Sequence, residues 1–379
     1  MSGTKDSHCK YRWWWINLRL LAVILLSCTQ WSLTRGQESK PDMLRIVSYN
    51  VENLFDTTDN PDTQDNEFLP TSHKGWTEGR YKAKVKRLGS VLSEIGGWDF
   101  PDIIGLVEVE NETVVKALAE SSSLRPARYD YLVSEGTDPR GINAALMWRR
   151  DHLQLVEAHE IPHYGSTMFY PHEEDARHRN KGKEQLGRDQ GRNTLWVTLK
   201  ETSTGEQIDL FVVHAPSRRG GDRATERKRI RVMEKLKQVV TRLISHNSNA
   251  KIIILGDFND NPDNRSLRKG LGAIPLEQAK GKYRKDRLYN LASPLYRSGK
   301  GTHHYKEGYW MPDQIIVSGA LLSPREPMRI QEKHGLQIYD PKKLQRKGRP
   351  YRTYQGGHHT GGYSDHFPIF VDIILSDKE

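Results

Sequence analysis

The chain has 379 residues and a formal net charge of +10 at pH 7. That length is compatible with two ordinary domains or with one large α/β domain, and we expect one. The positive charge favours an acidic partner, such as nucleic acid or a phosphorylated small molecule or lipid, although a solvated basic surface accounts for it equally well. The only cysteines, Cys9 and Cys28, lie near the N-terminus, which excludes disulfides from the body of the chain.

The N-terminal segment predicts export. Its apolar run, residues 20–26, follows the basic residues Lys10 and Arg12, and it has the length of a signal-peptide core rather than of a membrane-spanning helix. Residues 1–36 are therefore predicted to be a signal peptide that is cleaved after Gly36. The protein is then expected to be secreted or periplasmic.

An alternative leader involves Cys28. The sequence Leu25-Leu26-Ser27-Cys28 resembles the cleavage box of bacterial lipoproteins, in which the cysteine becomes a lipidated N-terminus that attaches the protein to a membrane. The leucine two residues before the cysteine departs from the small residue that is usual there. Under either interpretation, residues 37–42 are predicted to be a polar linker and residues 43–376 a single folded domain.

Nine short runs of apolar and β-branched residues have the length and composition of strands. They cover residues 44–48, 103–107, 129–133, 144–148, 195–199, 208–213, 251–255, 314–317 and 367–374. Apolar residues at helical spacing predict helices at 82–95 and 222–245. Many strands with few helices favour two packed sheets flanked by helices. Residues 160–190 lack periodicity and are too long for an ordinary connection, so they are expected to be a functional lid or a mobile insertion.

Two candidate site residues stand at the ends of the first two predicted strands. In Ile46-Val47-Ser48-Tyr49-Asn50, the amide can hold a metal-bound water or a phosphate oxygen, although an asparagine at this place is more often a turn former. Glu108 closes the strand at 103–107. Because a buried carboxylate is costly unless it is paired or coordinates a cation, Glu108 is a candidate ligand for a hard metal, with capping or a salt bridge as the alternative.

A more specific motif is Ile252-Ile253-Ile254-Leu255-Gly256-Asp257-Phe258-Asn259. Its apolar strand delivers Asp257 and Asn259 on the same side at a spacing of two, and Gly256 permits a close backbone approach. The two polar side chains are therefore candidates to hold a scissile phosphate and its metal. The alternative is a simple Asx turn at the end of the strand.

Histidines supply the remaining chemistry. In Ser364-Asp365-His366, Asp365 can bind a metal while His366 titrates near neutrality as a general base. His214 closes the strand at 208–213, and Asp313 precedes the strand at 314–317. A carboxylate beside an imidazole sets its tautomer and raises its basicity, so Asp313 and His366 are predicted to form an acid/base unit.

These motifs, in this order, resemble the endonuclease/exonuclease/phosphatase superfamily, in particular its deoxyribonuclease I-like branch, over residues 44–374. The segments 131–135 and 313–322 resemble connecting strands of that family. The resemblance implies a four-layered α/β sandwich, with two packed mixed β-sheets flanked by helices and the site at one rim of the sheets. It also suggests an exported bacterial member.

The resemblance also implies a role for each candidate residue. Asn50, Glu108 and Asp365 match the metal-site positions, Asp257 and Asn259 the phosphate-orienting positions, and Arg192 a phosphate-contacting arginine. His214 and His366 match a histidine pair in which Asp313 supports His366. Oxygen ligands without cysteine point to Mg²⁺, with Mn²⁺ or Ca²⁺ as substitutes. Asp257 or His366 is then expected to activate water for in-line attack, and His214 or a metal-bound water to protonate the leaving oxygen.

Departures from the family pattern concern the substrate. The nuclease branch carries a DNA-contacting arginine two residues after the metal glutamate, whereas this chain has Glu110, whose charge is expected to repel a duplex. The glutamate that pairs with the first histidine has no clear counterpart near residues 141–145. The disulfides typical of secreted animal enzymes are also absent.

The leading interpretation is a Mg²⁺-dependent, endonuclease-like hydrolase of nucleic-acid phosphodiesters. The alternative is a phosphatase or phospholipid phosphodiesterase on the same fold, acting on inositol phosphates or sphingomyelin-like lipids. Met168-Phe169-Tyr170 and Tyr309-Trp310 are only a faint version of the aromatic loops that lipid enzymes need. Two basic clusters next to site residues suit a phosphate-rich substrate, and no protein partner is evident. The clusters are Arg218, Arg219, Arg223, Arg227, Lys228, Arg229 and Arg231, and Lys342, Lys343, Arg346, Lys347, Arg349 and Arg352.

Overall fold

A computed structural model describes residues 43–97, 99–164, 191–306, 308–331 and 335–376. The predicted signal peptide, the alternative lipidation site Cys28, the linker and most of the segment 160–190 lie outside these residues. Within the described residues, no helix combines the length and apolarity that crossing a bilayer requires.

The strands, in chain order, are β1 (Met43–Leu54), β2 (Ile103–Val109), β3 (Tyr129–Val133), β4 (Asn143–Arg149), β5 (Leu153–Pro162), β6 (Asn193–Glu201), β7 (Gln207–His214), β8 (Lys251–Asp257), β9 (Ile274–Pro275), β10 (Leu288–Asn290), β11 (His303–Tyr305), β12 (Gly308–Trp310), β13 (Asp313–Ser318), β14 (Met328–Ile330), β15 (Gln337–Ile338), β16 (Gln345–Arg346), β17 (Arg349–Pro350), β18 (Tyr354–Gln355), β19 (His358–His359) and β20 (Ile369–Leu375). The α-helices are α1 (Glu78–Gly96), α2 (Glu112–Ala119), α3 (Asp222–His246) and α4 (Ser293–Arg297). Short 3₁₀ turns occur at Asn66–Phe68, Arg125–Ala127, Leu276–Ala279, Gly319–Leu322 and Lys342–Leu344, and a π-helical turn at Ser266–Leu271.

Two seven-stranded sheets form the centre of the fold. The first has the order β14-β20-β1-β2-β4-β3, with β15 also pairing with β20, and the second has the order β5-β6-β7-β8-β13-β10-β9. Both are mixed, because β1 runs parallel to β2 and antiparallel to β20, while β7 runs parallel to β8 and β8 antiparallel to β13. The remaining strands form three small hairpins, β11-β12, β16-β17 and β18-β19.

Three hydrophobic clusters among the described residues separate four layers. One fills the space between the sheets, with Leu44 of β1 and Val197 of β6 as members. A second packs α1 and α2 on the first sheet, and a third packs α3 on the second sheet. Side chains that alternate between two faces of a strand allow each sheet to contribute to two of these clusters. The predicted α/β sandwich is therefore confirmed.

All nine predicted strands and both predicted helices occur, each within four residues of the expected ends except that β1 continues six residues beyond its expected end. Besides several strands of two or three residues and the short helix α4, the strand β5 and the helix α2 were not predicted. The central residues of β5 are exposed because it is an edge strand, so it carries little of the apolar alternation by which strands are recognised. Helix α2 is short, although Asn111 caps its N-terminus by accepting a hydrogen bond from the Val114 N–H.

Candidate active site

The alternation of β8 delivers a carboxylate to the rim between the sheets. Ile253 and Leu255 belong to the inter-sheet cluster, and Asp257, two residues further, follows on the same face. A side chain at Gly256 would place its Cβ 2.0 Å from the Val213 carbonyl oxygen, and Gly256 has a φ of 131°. Glycine is therefore required at this position if β7 and β8 are to stay paired up to their ends.

The neighbouring strands deliver polar residues to the same rim by the same rule. Asp257 pairs in register with His214 at the end of β7 and with Asp313 at the start of β13. In the first sheet, Leu44 and Ile46 face the inter-sheet cluster, so Asn50 of β1 also points towards the second sheet. The polar residues of the site thus lie on the same strand faces as the apolar residues of the core, at the ends of the strands.

Glu108 reaches the rim through an irregularity of β2. The pairing register of β2 with β4 shifts between Val107 and Val109, and Glu108 has a φ of 66°. A left-handed conformation is uncommon for a residue other than glycine and persists only where its surroundings enforce it. Here the Asn53 N–H donates to Glu108 Oε2 at 3.0 Å, and Asn50 Nδ2 lies 3.3 Å from Glu108 Oε1. The bulge therefore turns the carboxylate towards β1.

Asn50 joins the two sheets. Its Nδ2 also donates to Asp257 Oδ2 at 3.0 Å, and its Oδ1 accepts from the Glu52 N–H at 2.9 Å. One amide thus lies between two carboxylates. No lysine or arginine of the described residues forms an ion pair with Glu108 or Asp257. The nearest basic group to each carboxylate among these ion pairs is His214 Nε2, at 3.8 Å.

This donor set fits a divalent cation with oxygen ligands. Taking carboxylates out of water without a counter-charge is unfavourable, and Asp257 is buried while Glu108 is largely so. Hard ions such as Mg²⁺ prefer oxygen ligands, which the carboxylates of Glu108 and Asp257 supply, while the Asn50 Nδ2 holds the two carboxylates together. Asp365, which was predicted to share this set, makes its described side-chain contacts elsewhere.

His366 is held by a buried carboxylate, as its sequence context predicts. Its Nδ1 lies 2.7 Å from Asp313 Oδ2, which also accepts a hydrogen bond from the Thr302 hydroxyl. The His366 N–H donates to Ser364 Oγ, and the Ser364 hydroxyl donates to the Asn50 carbonyl oxygen. This chain of contacts fixes the imidazole relative to β1, with its Nε2 edge free of these bonds.

Asp365 lies on the His366 side of the site. Its Oδ2 accepts from Arg352 Nη2 at 2.8 Å, and its Oδ1 is 3.9 Å from His366 Nε2. The carbonyl oxygen of Asp365 contacts His303 Nδ1 at 3.0 Å. The structure therefore brings Asp365, His303 and His366 together.

Electrostatics give the titratable groups different states. Burial, reinforced by Asp313 and Glu108 and opposed by His366, raises the pKa of Asp257 to about 6. Burial and the charge of Arg192 lower the pKa of His214 well below its usual value. Burial opposes a charge on His366, but the Asp313 carboxylate outweighs it and raises the pKa of His366 well above its usual value. The two histidines thus differ, His214 being neutral and His366 cationic near pH 7.

Arg192 and Asn259 support the end of β7. Arg192 Nε pairs with Asp138 Oδ2 at 3.0 Å, and its Nη1 donates to the Ala215 carbonyl oxygen at 3.0 Å. Asn259 Nδ2 donates to the same carbonyl oxygen, and the Asn259 N–H donates to Asp257 Oδ1 at 2.7 Å. Two of the three guanidinium nitrogens of Arg192 are thus occupied within the protein.

A basic cavity opens beside Asp365. It has a volume of about 620 Å³ and lies among the hairpins β11-β12, β16-β17 and β18-β19. Five of its lining residues are cationic and one, Asp365, is acidic; the cations are Lys306, Arg346, Lys347, Arg349 and Arg352. An anionic substrate group next to the site would lie in this cavity.

The first basic cluster is less available than its sequence indicates. Arg229 is fully buried, with its Nε 2.8 Å from Asp260 Oδ2, and Arg218 Nη2 pairs with Asp260 Oδ1 at 2.6 Å. Arg218 also lies over the Trp310 ring, 4.3 Å from its centroid. These two arginines hold the loop that follows Asn259.

Glu110 does not present its charge to a duplex. The side chain is 4% exposed, and its Oε2 accepts from the Asp56 N–H at 2.8 Å. Burial raises the pKa of Glu110 to about 7. The expected repulsion of a DNA backbone is therefore wrong as an argument against nucleic acid. The aromatic residues Tyr309 and Trp310 are half-buried rather than exposed, and 168–170 lie outside the described residues.

Sequence reasoning missed three contributors. The Thr302 hydroxyl donates to Asp313 across the hairpin β11-β12. His303 Nδ1 contacts the carbonyl oxygen of Asp365, which lies 62 residues further along the chain. Lys84 is fully buried in α1, where its Nζ donates to the Glu52 carbonyl oxygen and to Thr353 Oγ1. A signal for Lys84 existed, because it precedes Leu88 by four residues and so lies on the apolar face of the helix.

Comparisons with known proteins agree with this geometry. The sequence model of the Endonuclease/Exonuclease/phosphatase family matches residues 45–374. Solved structures with a similar fold include a Bacteroides thetaiotaomicron VPI-5482 mannosyl-6-phosphatase, Bt3783, at a TM-score of 0.52 and 18% identity, covering 88% of this chain and 100% of that one. Another is D. rerio TDP2 complexed with a single-strand DNA product, at 0.50 and 15%, covering 88% and 99%. A third is truncated Caenorhabditis elegans TDP2, at 0.51 and 13%, covering 88% and 98%. No curated protein sequence matches significantly.

Proposed function

Because the chain belongs to the endonuclease/exonuclease/phosphatase family, we propose that it is a divalent-metal-dependent phosphoesterase that hydrolyses nucleic-acid phosphodiesters. The observation that carries the metal dependence is the pair of carboxylates, Glu108 and Asp257, that share the Asn50 amide without a lysine or arginine partner among the described residues. A divalent ion held by these oxygens would neutralise charge on a non-bridging phosphate oxygen.

The residues around this pair have complementary tasks. Asp257 would act as the base that takes a proton from an attacking water. Its pKa of about 6 describes the metal-free site, and a bound divalent ion would lower it. The cationic His366, oriented by Asp313, donates a hydrogen bond to a phosphate oxygen through its Nε2. This assigns water activation to Asp257 rather than to His366. The neutral His214 would relay a proton to the leaving oxygen, giving one up from one ring nitrogen as it takes one up at the other.

The substrate class follows from the basic cavity beside Asp365. Five cations around about 620 Å³ suit a substrate whose scissile phosphate has an anionic neighbour, which a nucleic-acid strand provides at every nucleotide. A phosphatase acting on a compact, multiply phosphorylated molecule is the second candidate, because the cavity is bounded by three hairpins. A lipid substrate is less well supported. The large exposed hydrophobic residues among the described ones are Leu155, Val156 and Tyr305, of which the first two lie on the edge strand β5.

A substrate panel separates these candidates. Plasmid DNA, RNA, a phosphodiester analogue, inositol phosphates and sphingomyelin would each be incubated with Mg²⁺ and with a chelator. We expect cleavage of nucleic acid that is lost in the chelator. If DNA and RNA stay intact while a phosphomonoester releases phosphate, the protein is a phosphatase and not a nuclease. Full activity in the chelator would contradict the metal dependence.

A pair of arginine variants tests the role of the cavity. Arg349→Gln removes a lining cation, and we expect a higher KM for nucleic acid and a salt dependence whose slope falls by about 1. The matched control is Arg284→Gln, an exposed cation near the opposite end of the second sheet, paired with Asp286. Equal effects of the two variants would show that the cavity does not bind substrate.

The cellular location belongs to this proposal as well. The sequence of residues 1–36 supports export, either as a secreted or periplasmic protein or through a lipidated Cys28. Mass spectrometry of the mature N-terminus distinguishes cleavage after Gly36 from lipidation of Cys28, and an intact N-terminus would contradict both.

A further inference from the structure

The end of β1 passes through two consecutive residues in the left-handed region. Glu52 has a φ of 50° and Asn53 a φ of 55°. Such a conformation is uncommon for residues other than glycine and persists only where the surrounding structure enforces it. The Glu52 N–H donates to Asn50 Oδ1 at 2.9 Å, and the Asn53 N–H donates to Glu108 Oε2 at 3.0 Å. This turn of the backbone therefore orients both residues of the first sheet that reach the site.

Lys84 holds this turn from the side of helix α1. Its side chain is fully buried, and its Nζ donates to the Glu52 carbonyl oxygen and, at 2.8 Å, to Thr353 Oγ1. The Glu52 carbonyl and the Asn53 N–H belong to one planar peptide unit. The ammonium group therefore contacts one end of the peptide whose other end donates to the Glu108 carboxylate.

An ion pair does not account for the charge of Lys84. Among the described residues, both acceptors of its hydrogen bonds are neutral oxygens. Burying an ammonium group without a carboxylate partner is unfavourable, and an apolar side chain of similar volume is often tolerated better. Burial lowers the pKa of Lys84 to about 8, and the charges of Glu52, Asp365 and Glu108 oppose that fall. Lys84 is therefore still cationic at pH 7, and a cation at a peptide oxygen strengthens the hydrogen bond that the peptide N–H donates.

Thr353 connects the same lysine to the basic cavity. The Thr353 N–H donates to Glu52 Oε2 at 2.5 Å, which joins the segment before β18 to the end of β1. The preceding residue, Arg352, lines the cavity and pairs with Asp365. Lys84 thus contacts two segments, one that orients Glu108 and one that carries a cation of the cavity.

We propose that Lys84 is a positioning residue of the active site, which holds the peptide between Glu52 and Asn53 so that its N–H orients the Glu108 carboxylate for a divalent ion. Lys84 itself touches neither the ion nor the substrate. Groups that orient the ligands of a metal ion typically contribute 10- to 100-fold to its affinity. The inference rests on the proposed function, because it requires that Glu108 binds a metal.

The metal affinity of Lys84→Met tests this role without measuring turnover. Methionine fills a similar volume but donates no hydrogen bond. The full chain, stripped with a chelator and dialysed, would be titrated with Mn²⁺ by calorimetry, and Glu108→Gln identifies the binding event that belongs to the site. We expect the Kd of that event to rise by about 10- to 100-fold in Lys84→Met. Amide hydrogen exchange at residues 52–54 of the metal-free protein should become faster, because the turn has lost its support.

Three control variants separate positioning from general stability. Lys86→Met makes the same substitution on the exposed face of α1 and should leave the Mn²⁺ affinity unchanged. Leu88→Ala removes a fully buried side chain of α1, so it should lower the unfolding temperature without changing the Mn²⁺ affinity. Thr353→Val removes the other acceptor of Lys84 and should also keep the affinity. If Lys84→Met does not fold, as judged by its thermal unfolding, Lys84→Gln, which removes the charge, serves in its place.

Two results would overturn the inference while the proposed function stands. One is a wild-type Mn²⁺ affinity in the folded Lys84 variant, and the other is an equal loss of affinity in Leu88→Ala or Thr353→Val, which would assign the effect to stability or to the other segment. A different result concerns the proposed function itself. If the wild-type chain binds no divalent ion at Glu108 and hydrolyses its substrate in a chelator, the metal dependence fails, and the role of Lys84 fails with it.

Discussion

Strand β8 carries a buried ionisable residue at each end, and the two ends are built in opposite ways. At its start, Lys251 Nζ lies 2.5 Å from Glu326 Oε2, and that carboxylate also accepts from Lys285 and Asn249. At its end, Asp257 has an amide and a distant neutral imidazole as partners, with a second carboxylate close by.

The pKa values of the two acids report this difference. Hydrogen bonds from Lys251 and Lys285, which outweigh desolvation, lower the pKa of Glu326 to about 2, whereas burial and neighbouring acids raise the pKa of Asp257 to about 6. A buried carboxylate that is paired with a cation contributes to stability. A buried carboxylate without such a partner lowers stability, and groups of this kind cluster at functional sites. The comparison predicts that substitutions at the two ends separate activity from stability.

The largest expected effect is the loss of activity in Asp257→Asn. The amide keeps the size of the side chain but cannot accept a proton from water, so kcat should fall by about 10² to 10⁴-fold. Stability in the absence of metal should stay equal or rise, because a buried charge has been removed. Steady-state kinetics and urea unfolding measure the two quantities.

Asp263→Asn is the control for that change, since it makes the same chemical substitution at an exposed position of the following loop. It should alter neither activity nor stability. A variant Asp257→Asn that kept its activity would show that the base lies elsewhere in the site.

The next effect is on stability and comes from the other end of the strand. Lys251→Met leaves Glu326 without its buried cation, and removing one partner of a buried pair costs about 3 to 5 kcal/mol. Activity per folded molecule should not change. Lys285→Met removes the half-exposed partner of the same carboxylate and should cost less than about 1 kcal/mol.

Urea unfolding of both lysine variants tests this ordering. Equal costs for Lys251→Met and Lys285→Met would mean that burial does not distinguish the two pairs. A fall in activity of Lys251→Met at temperatures where it remains folded would mean that the two ends of β8 are coupled.

How far the sequence anticipates the structure also differs between the two regions. The polar residues at the end of β8 can be predicted from local sequence. Continuing the apolar alternation of each strand past its last apolar residue places Asp257, His214 and Asn50 on the faces between the sheets. The four-layer sandwich follows from the same alternation together with two amphipathic helices. Local pattern therefore predicts both the fold class and half of the site.

The remaining contacts join residues that no local pattern connects. Lys251 and Glu326 are far apart in sequence, and so are His303 and Asp365, while Thr302 and Asp313 are separated by the hairpin β11-β12. These pairings depend on how hairpins and loops close over the sheets, which single-sequence periodicity does not encode. The bulge at Glu108 is similar, because it is a property of the pairing between β2 and β4 rather than of either strand alone.

The smallest expected effect is a change in the pH dependence of stability. It distinguishes the two ends of β8 by the sign of the change. The folded-state pKa of Glu326 is depressed, so its contribution is present above the unfolded value of about 4.3 and is lost as the pH falls towards 2. The folded-state pKa of Asp257 is raised, so its contribution is present below the unfolded value of about 3.9 and is lost as the pH rises through 6. The carboxylates at the two ends of β8, Glu326 beside Lys251 and Asp257 itself, thus act on stability with opposite sign.

Urea unfolding in a chelator between about pH 2 and pH 7 separates these contributions. Glu326→Gln should be less stable than the wild type at pH 7, and the gap should narrow on the acid side of about pH 4. Asp257→Asn should match the wild type on the acid side of about pH 4, gain on it between about pH 4 and 6, and keep the gain above pH 6, because in that interval the unfolded wild type loses a proton that its folded state retains. Parallel pH profiles for the two variants would contradict the assignment of one end of β8 to stability and the other to catalysis.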